Sequence, residues 1–455
     1  MLTRRGLLIP RDNEFKNIYR SELTVRPEVN TDYGIRPPSF KLYRATPDNV
    51  YVPRYYGTVH RQIEIVQNKM EPPSNANIEF SGRLRDSTKQ NEALANIVDK
   101  LETVGGGILS LPCGYGKTTV ALAVASYFKV RTMIVVHKEF LANQWRQRIQ
   151  EFCPGATVGI VQQNKCETDC DFVIAMLQSL SMKEYAPNTF DSIGMVIVDE
   201  AHHICARVFS QALLNLCPKY TLGLTATPTR KDGLTNVLYW FLGPEAFAVE
   251  REMRGQTTVE CNVWDCAFYK TPPPVTRFGK VSLVQMITDL VEMNTRNDFL
   301  EQLIRKHSGG SRRILVLSDR RAHCEELARR FQDLGCGLYM GGMKEKDLEE
   351  SSRKQIIVGT FSQAHEGLDI PVLDTILLAT PKSDIKQAVG RILRETTGKK
   401  NSPLVIDVKD KWGMLPSMYY KRRKTYKESG FELSDKDPIN HQKLLLTGFA
   451  FVDDD

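Results

Sequence analysis

The feature that most limits what this chain can fold into is a rhythm: from Ile108 onward, short apolar runs of strand length alternate with amphipathic stretches of helix length. GGGILSL, RTMIVVH, DFVIAM, GMVIVDE and YTLGLTA read as strands, and KTTVALAVASYF and EFLANQWRQRIQEF between them read as covering helices. Such apolar strands are buried on both faces, and only helices packed above and below can bury them, so the alternation calls for a parallel sheet in an α/β layer architecture. After the proline-rich TPPPVTRFGK (271–280) and a long helical stretch, the rhythm resumes with RRILVLS, KQIIVGT, LDTILLAT and SPLVIDV. Two α/β lobes are expected.

At 455 residues the chain has room for about three domains. Residues 1–78 are loop-rich, broken by prolines, and read as a small N-terminal domain; the lobes are expected over 79–255 and 256–430, with a polar tail over 431–455. Through residue 75 there are 12 basic side chains against 8 acidic ones, a balance of +4 that suits either a solvated face or a phosphate-contacting one. The whole chain carries +7, which fits a polyanionic partner without requiring one. KRRK (421–424) reads as a nuclear signal, a DNA patch or a solvated basic helix.

The opening apolar stretch stops at Pro10, too short for a signal-peptide core, and no run approaches membrane-spanning length. A soluble intracellular protein without a membrane partner is expected, with nucleus and cytoplasm both open. The chain has ten cysteines, but Cys166/Cys170 and Cys261/Cys266 lack a matching second ligand pair, so buried reduced thiols are expected rather than zinc.

Chemistry gathers at four places. In Pro112-Cys113-Gly114-Tyr115-Gly116-Lys117-Thr118-Thr119, a glycine-rich turn comes after a strand and opens a helix. Backbone N–H groups at Gly114 and Gly116 can turn onto phosphates, Lys117 can reach the β- and γ-phosphates of ATP, and the Thr118 hydroxyl can ligate Mg²⁺. Leu111 stands where the strict phosphate-loop pattern has its first glycine. About 80 residues on, GMVIVDE delivers Asp199, a candidate Mg²⁺ ligand, and Glu200, a candidate for orienting or deprotonating the attacking water. TATPTR offers Thr225 and Thr227 as hydrogen-bond partners for that acidic pair. QAVGRILR spaces Gln387, Arg391 and Arg394 to share one helix face, from which cations can stabilise charge on a γ-phosphate.

In this chain order the four elements, together with NQW (143–145), VDEAHH, LSDRR (317–321) and EGLDIP (366–371), resemble the superfamily 2 helicases with a DEAH box. The likeness covers roughly residues 80–410 and is strongest to the branch holding the XPB repair helicase, phage UvsW and the transcript-release helicases of large DNA viruses. It implies two tandem RecA-like lobes preceded by a small N-terminal domain, and an ATP hydrolase working as a helicase or translocase. It also implies transcription or repair partners and a nucleic-acid track, DNA favoured over RNA, with an RNA helicase and a translocase that does not separate strands as the alternatives. By the same resemblance Gln90 reads adenine, Gly367 and Asp369 lie at the ribose, and His202 and Thr225 couple hydrolysis to strand movement. Arg394 is the arginine finger, with Gln387 and Arg391 beside the γ-phosphate. Nucleic-acid contacts fall in the loop after Lys138, in 176–180 and at Thr360.

Overall fold

The computed structural model describes the chain except residues 29–36, 71, 113, 187, 202–205, 227–229, 231, 250–256, 367, 369, 394–398 and 435–455, and the side chains of 206, 365 and 366. The expected roles of Cys113, His202, Thr227, Gly367, Asp369 and Arg394 therefore lie outside the described residues. The chain divides into two compact units, Met1–Arg251 and Glu252–Asp455.

The first unit is built on an eight-stranded sheet. Its order is Lys165–Cys166, Val158–Gln162, Phe172–Met176, Thr132–Val136, Met195–Val198, Tyr220–Thr225, Gly106–Ser110 and Glu245–Ala248. All neighbours run parallel except the first two. Alternate side chains serve opposite faces: Met133 and Val135 enter one hydrophobic cluster, Ile134 and Val136 the other. That is why the strands read as unbroken apolar runs.

The first of these clusters also holds Leu7, Val50 and Tyr56 of the N-terminal region, which forms its own antiparallel sheet of Leu2–Thr3, Gly6–Pro10, Asn49–Val52 and Arg44–Ala45. Tyr56 meets Trp240 edge-on at 5.1 Å. The buried Tyr55 hydroxyl donates to the Gly105 carbonyl (2.8 Å) and lies 2.7 Å from Thr221 Oγ1. Residues 1–78 have their own sheet but share a core with the first lobe.

The second unit carries seven parallel strands in the order Cys336–Tyr339, Ile356–Thr360, Ile314–Ser318, Thr375–Leu378, Leu404–Asp410, Thr258–Trp264 and Glu432–Ser434. Ile314 and Val316 face one cluster, Leu315 and Leu317 the other. Each unit is a RecA-like lobe: a parallel sheet with helices on both faces.

Several strands do not read as apolar runs. Val158–Gln162 alternates half-buried and buried positions, and Thr258–Trp264 carries Glu260 and Asn262 inward. Glu260 is compensated by Lys306 Nζ at 2.8 Å and His307 Nε2 at 3.0 Å, which hold its carboxyl near 2 against the opposing effect of burial. Glu432–Ser434, at the start of the expected polar tail, pairs with Thr258–Glu260.

Candidate active site

Three adjacent strands bring the candidate chemistry to one edge of the first sheet. Met195–Val198, Tyr220–Thr225 and Gly106–Ser110 lie side by side, with Val198 opposite Gly223 and Thr225 opposite Ser110. Their carboxyl ends coincide, so the acidic pair, Thr225 and the glycine-rich turn converge on that edge. The Leu111 amide extends the pairing by donating to the Thr225 carbonyl at 3.1 Å.

The glycine-rich turn is held from outside. Gly114 (φ +87°) and Gly116 (φ +82°) occupy the left-handed region, and a Cβ on Gly116 would lie 2.3 Å from Gln90 Nε2. Gln90 is 1% exposed; its amide nitrogen donates to the Tyr115 carbonyl (2.8 Å) and its oxygen accepts from the Arg85 amide (2.9 Å). Arg85 also reaches the Gly114 carbonyl at 3.4 Å. Gln90 and Arg85 thus brace the turn. The sequence alone does not single out Arg85. The helix Lys117–Phe128 opens on Gly116, leaving its first N–H groups beside the turn, with Thr118 and Thr119 in its first half-buried positions.

Opposite the turn stands the acidic pair. Lys117 Nζ lies 3.2 Å from Glu200 Oε1, with the two side chains only 10% and 18% exposed. Asp199 is buried: its Oδ2 accepts from Trp145 Nε1 at 2.8 Å and its Oδ1 from the Glu200 amide at 2.9 Å. Burial first, then the Glu200 charge, pushes the Asp199 carboxyl up to about 6, while Lys117 and the Trp145 bond pull the other way. Glu200 itself sits at φ +46°, a region a non-glycine residue enters at a cost of about 1–3 kcal/mol and one that concentrates at functional sites. Beside them, burial and Lys138 lower the His137 pKa, favouring a neutral ring.

In the sequence Trp145 stands out only as part of NQW. Its bond to Asp199 spans 54 residues, from the helix Glu139–Phe152 to the end of a different strand. Thr225 is fully buried at the end of its strand.

In the second unit, the helix expected to carry Gln387, Arg391 and Arg394 on one face spans only Lys386–Gly390. From there the amides of Arg391, Ile392 and Leu393 bond three residues back, to Ala388, Val389 and Gly390, and this tighter winding breaks the four-residue spacing. Arg391 is 9% exposed and donates from Nε to the Ala364 carbonyl at 2.7 Å; Gln387 is half-buried. Of the KRRK segment, Arg422 is not a surface cation: it is buried in the helix Leu415–Glu428 and bonds both carboxylate oxygens of Asp407 through Nε. Among the described residues no group of three or more His, Cys, Asp or Glu side chains could hold a metal ion, and no helix is long and apolar enough to cross a membrane.

Residues 83–230 match the family described as the type III restriction enzyme res subunit. A mimivirus protein (Acanthamoeba polyphaga mimivirus) bearing the name ATP-dependent RNA helicase L396 is 35% identical over 98% of this chain and 87% of its own length. Helicase 161L of Invertebrate iridescent virus 6 is 25% identical over 92% of this chain and 97% of its own. African swine fever virus QP509L, also named an ATP-dependent RNA helicase, is 24% identical over 78% and 76%. The crystal structure of T4 UvsW pairs with 93% of this chain and 95% of that one at 16% identity and a TM-score of 0.36, a level at which the likeness says nothing of function. A helicase of this kind uses ATP and acts on nucleic acid. On the near full-length likeness to the mimivirus protein, the chain belongs to the superfamily 2 ATP-dependent helicases, in the branch of the large DNA viruses.

Proposed function

We propose that this protein hydrolyses Mg-ATP at the phosphate loop of its first unit and uses the energy to move along or unwind DNA in transcription, repair or recombination. The observation that carries the reading is the contact between Lys117 and Glu200 at 3.2 Å, beside a buried Asp199 whose proton is held up to about 6. A lysine, two carboxylates and a helix N-terminus converge on the edge of a parallel sheet where nucleotides bind.

In this reading Pro112, Cys113, Gly114, Tyr115, Gly116, Lys117, Thr118 and Thr119 wrap the phosphates, and Lys117 leaves Glu200 for the β- and γ-phosphates. Glu200, freed of its cation, orients the attacking water and accepts its proton. Thr118 and Asp199 hold Mg²⁺, and the donor set suits it: one hydroxyl and one carboxylate that burial leaves in want of positive charge. Bound there, the ion would neutralise charge on the phosphate oxygens. Trp145 positions the Asp199 carboxylate.

Gln90 has both ends of its amide engaged by protein, so adenine recognition would require it to exchange one of those bonds. Gly367 and Asp369 are assigned to the ribose, His202, Thr225 and Thr227 to coupling, and Gln387, Arg391 and Arg394 to the γ-phosphate.

Where a loop was expected after Lys138 the helix Glu139–Phe152 begins at once, and a groove of about 510 Å³ along it, lined by Asn143, Arg146, Gln163 and Lys165, suits a phosphate backbone. Backbone contacts do not report the sugar. RNA is the second reading, favoured by the names of the mimivirus and swine fever virus relatives. ATP hydrolysis titrated with single-stranded DNA and with RNA of the same sequence decides between them. Stimulation by DNA is expected; stimulation by RNA alone would replace DNA with RNA as the track.

A further inference from the structure

The proline-rich segment that separates the two rhythms in the sequence folds into a hairpin, 274–282, in the second unit. Val275 bridges Val281, the Thr276 amide donates to the Lys280 carbonyl (2.7 Å), and the Ser282 amide donates to the Pro274 carbonyl (2.8 Å). Gly279 makes the turn at φ +74°.

The root is anchored. Trp412 Nε1 donates to the Thr271 carbonyl at 3.1 Å, and the Trp412 ring stacks on Tyr269 with centroids 5.6 Å apart and planes at 6°. Pro273 lies so close to Gly413 that a Cβ there would meet its ring carbons at 3.2 Å. Three successive prolines, Pro272 to Pro274, stiffen the approach.

The tip has the opposite character. Phe278 is 56% exposed and Val275 61%, and Val284 and Phe268, close to them in sequence, are also open. Large apolar side chains gathered in solvent mark a contact surface. Between Asp265 and Asp289 the sequence has Lys270, Arg277 and Lys280 and not one acidic residue. Arg277 lies 4.8 Å over the Phe278 ring, and neither it nor Lys280 forms an ion pair among the described residues. An exposed aromatic ring with one cation over it and a second two residues on, on a rigid mount, offers what an unpaired nucleotide requires: stacking for the base on the open face and positive charge for its phosphates.

We propose that hairpin 274–282 is a base-stacking element, which takes an unpaired nucleotide on Phe278 while Arg277 and Lys280 hold the flanking phosphates. The proposal rests on the motor reading above for its purpose, but its binding step needs no ATP. On a duplex being opened, the hairpin captures the first separated base and keeps it from re-pairing.

The test uses the full chain with Phe278→Ala and Phe278→Trp. In Phe278→Trp, fluorescence on adding oligothymidylate without ATP should be quenched well beyond the response of the wild type with its four tryptophans. In Phe278→Ala, binding of the same oligonucleotide should weaken at least fivefold, the low end of what one stacked base contributes. Strand displacement from a tailed duplex should fall by at least as much, with thermal melting unchanged because the ring is exposed. Phe278→Trp should displace strands as the wild type does.

No added quenching in Phe278→Trp, or oligonucleotide binding by Phe278→Ala within twofold of wild type, would overturn the proposal and leave the patch to a protein partner. Wild-type ATP hydrolysis that ignores nucleic acid would instead sink the motor reading, while the quenching still reports on the hairpin.

Discussion

The two lobes place buried charge at the same position of the same kind of sheet and treat it in opposite ways. In the first, Asp199 comes directly after a central strand and is left short of positive charge: one tryptophan, one backbone amide and a lysine shared with Glu200. In the second, Asp410 ends the strand Leu404–Asp410 and is saturated. Arg296 meets it through Nε and Nη2 at 2.7 and 2.9 Å, and Tyr269 donates a further bond at 2.8 Å. The remaining terminal nitrogen of Arg296 donates to the Ala379 carbonyl at 2.8 Å. Although burial acts to lower the Arg296 pKa, Asp410 more than reverses it. Asp407 repeats the pattern with Arg422 and the Tyr426 hydroxyl. A saturated pair can only hold structure. An under-compensated carboxylate can take a cation.

Arg296→Ala would break this contrast most visibly. It leaves Asp410 buried and unpaired, at an expected cost of about 3–5 kcal/mol, read by chemical denaturation. A loss below 1 kcal/mol would mean that the Asp410 cluster is no more committed than the Asp199 one.

Lys117→Ala is the matching change in the first lobe. If that edge binds nucleotide as proposed, the change should lower ATP hydrolysis by about 10²–10³-fold while leaving thermal melting close to wild type, since Lys117 is not part of the apolar core. Full hydrolysis in this variant would remove the phosphate loop from the mechanism.

The two lobes should also answer pH with opposite signs. His323, in the second, is buried between Ser318 Oγ (2.9 Å) and Asn297 Oδ1 (2.9 Å); burial first, then Arg296 and Arg330, push its pKa down to about 3. The unfolded chain then binds the extra proton, so stability falls as pH drops below about 6.5. The loss is about 2 kcal/mol at pH 5, and His323→Asn should flatten it in denaturation curves.

Asp199 is raised instead, so the native state binds the extra proton and stability falls as pH climbs from about 4 to 6. In the proposed site Mg²⁺ would compete with that proton. Mg²⁺-dependent nucleotide affinity should therefore rise up to about pH 6 and then level, and a flat profile from about pH 5 to 7 would contradict the Asp199 assignment.

The smallest expected effect is that of Trp145→Phe. Losing the bond to Asp199 should cost about 1 kcal/mol and raise the Mg²⁺ concentration needed for half-maximal hydrolysis, without altering the response to nucleic acid. An unchanged Mg²⁺ requirement would show that Trp145 only packs.

What the sequence carried plainly was everything set by strand burial and local chain geometry. Apolar runs such as RTMIVVH and GMVIVDE fixed their own strands, and Asp199 at the end of one could only land on the sheet edge. The glycines at 114 and 116 marked a left-handed turn before a helix. What stayed hidden depended on pairs far apart in the chain, such as Trp145 with Asp199, Arg391 with the Ala364 carbonyl and Arg422 with Asp407. Nothing in KRRK distinguishes the one arginine that turns inward, because the choice is made by an aspartate on another element. The N-terminal region showed its own strands but not that Tyr55 and Tyr56 tie it into the first lobe's core.

In the proposed mechanism the edge around Lys117, Asp199 and Glu200 drives movement on nucleic acid. Displacement of a labelled strand from a tailed DNA duplex, by wild type and Lys117→Ala with and without ATP, addresses it most directly. Displacement by the wild type only when ATP is present, and none by the variant, is expected. Equal displacement by both proteins, or displacement indifferent to ATP, would contradict it.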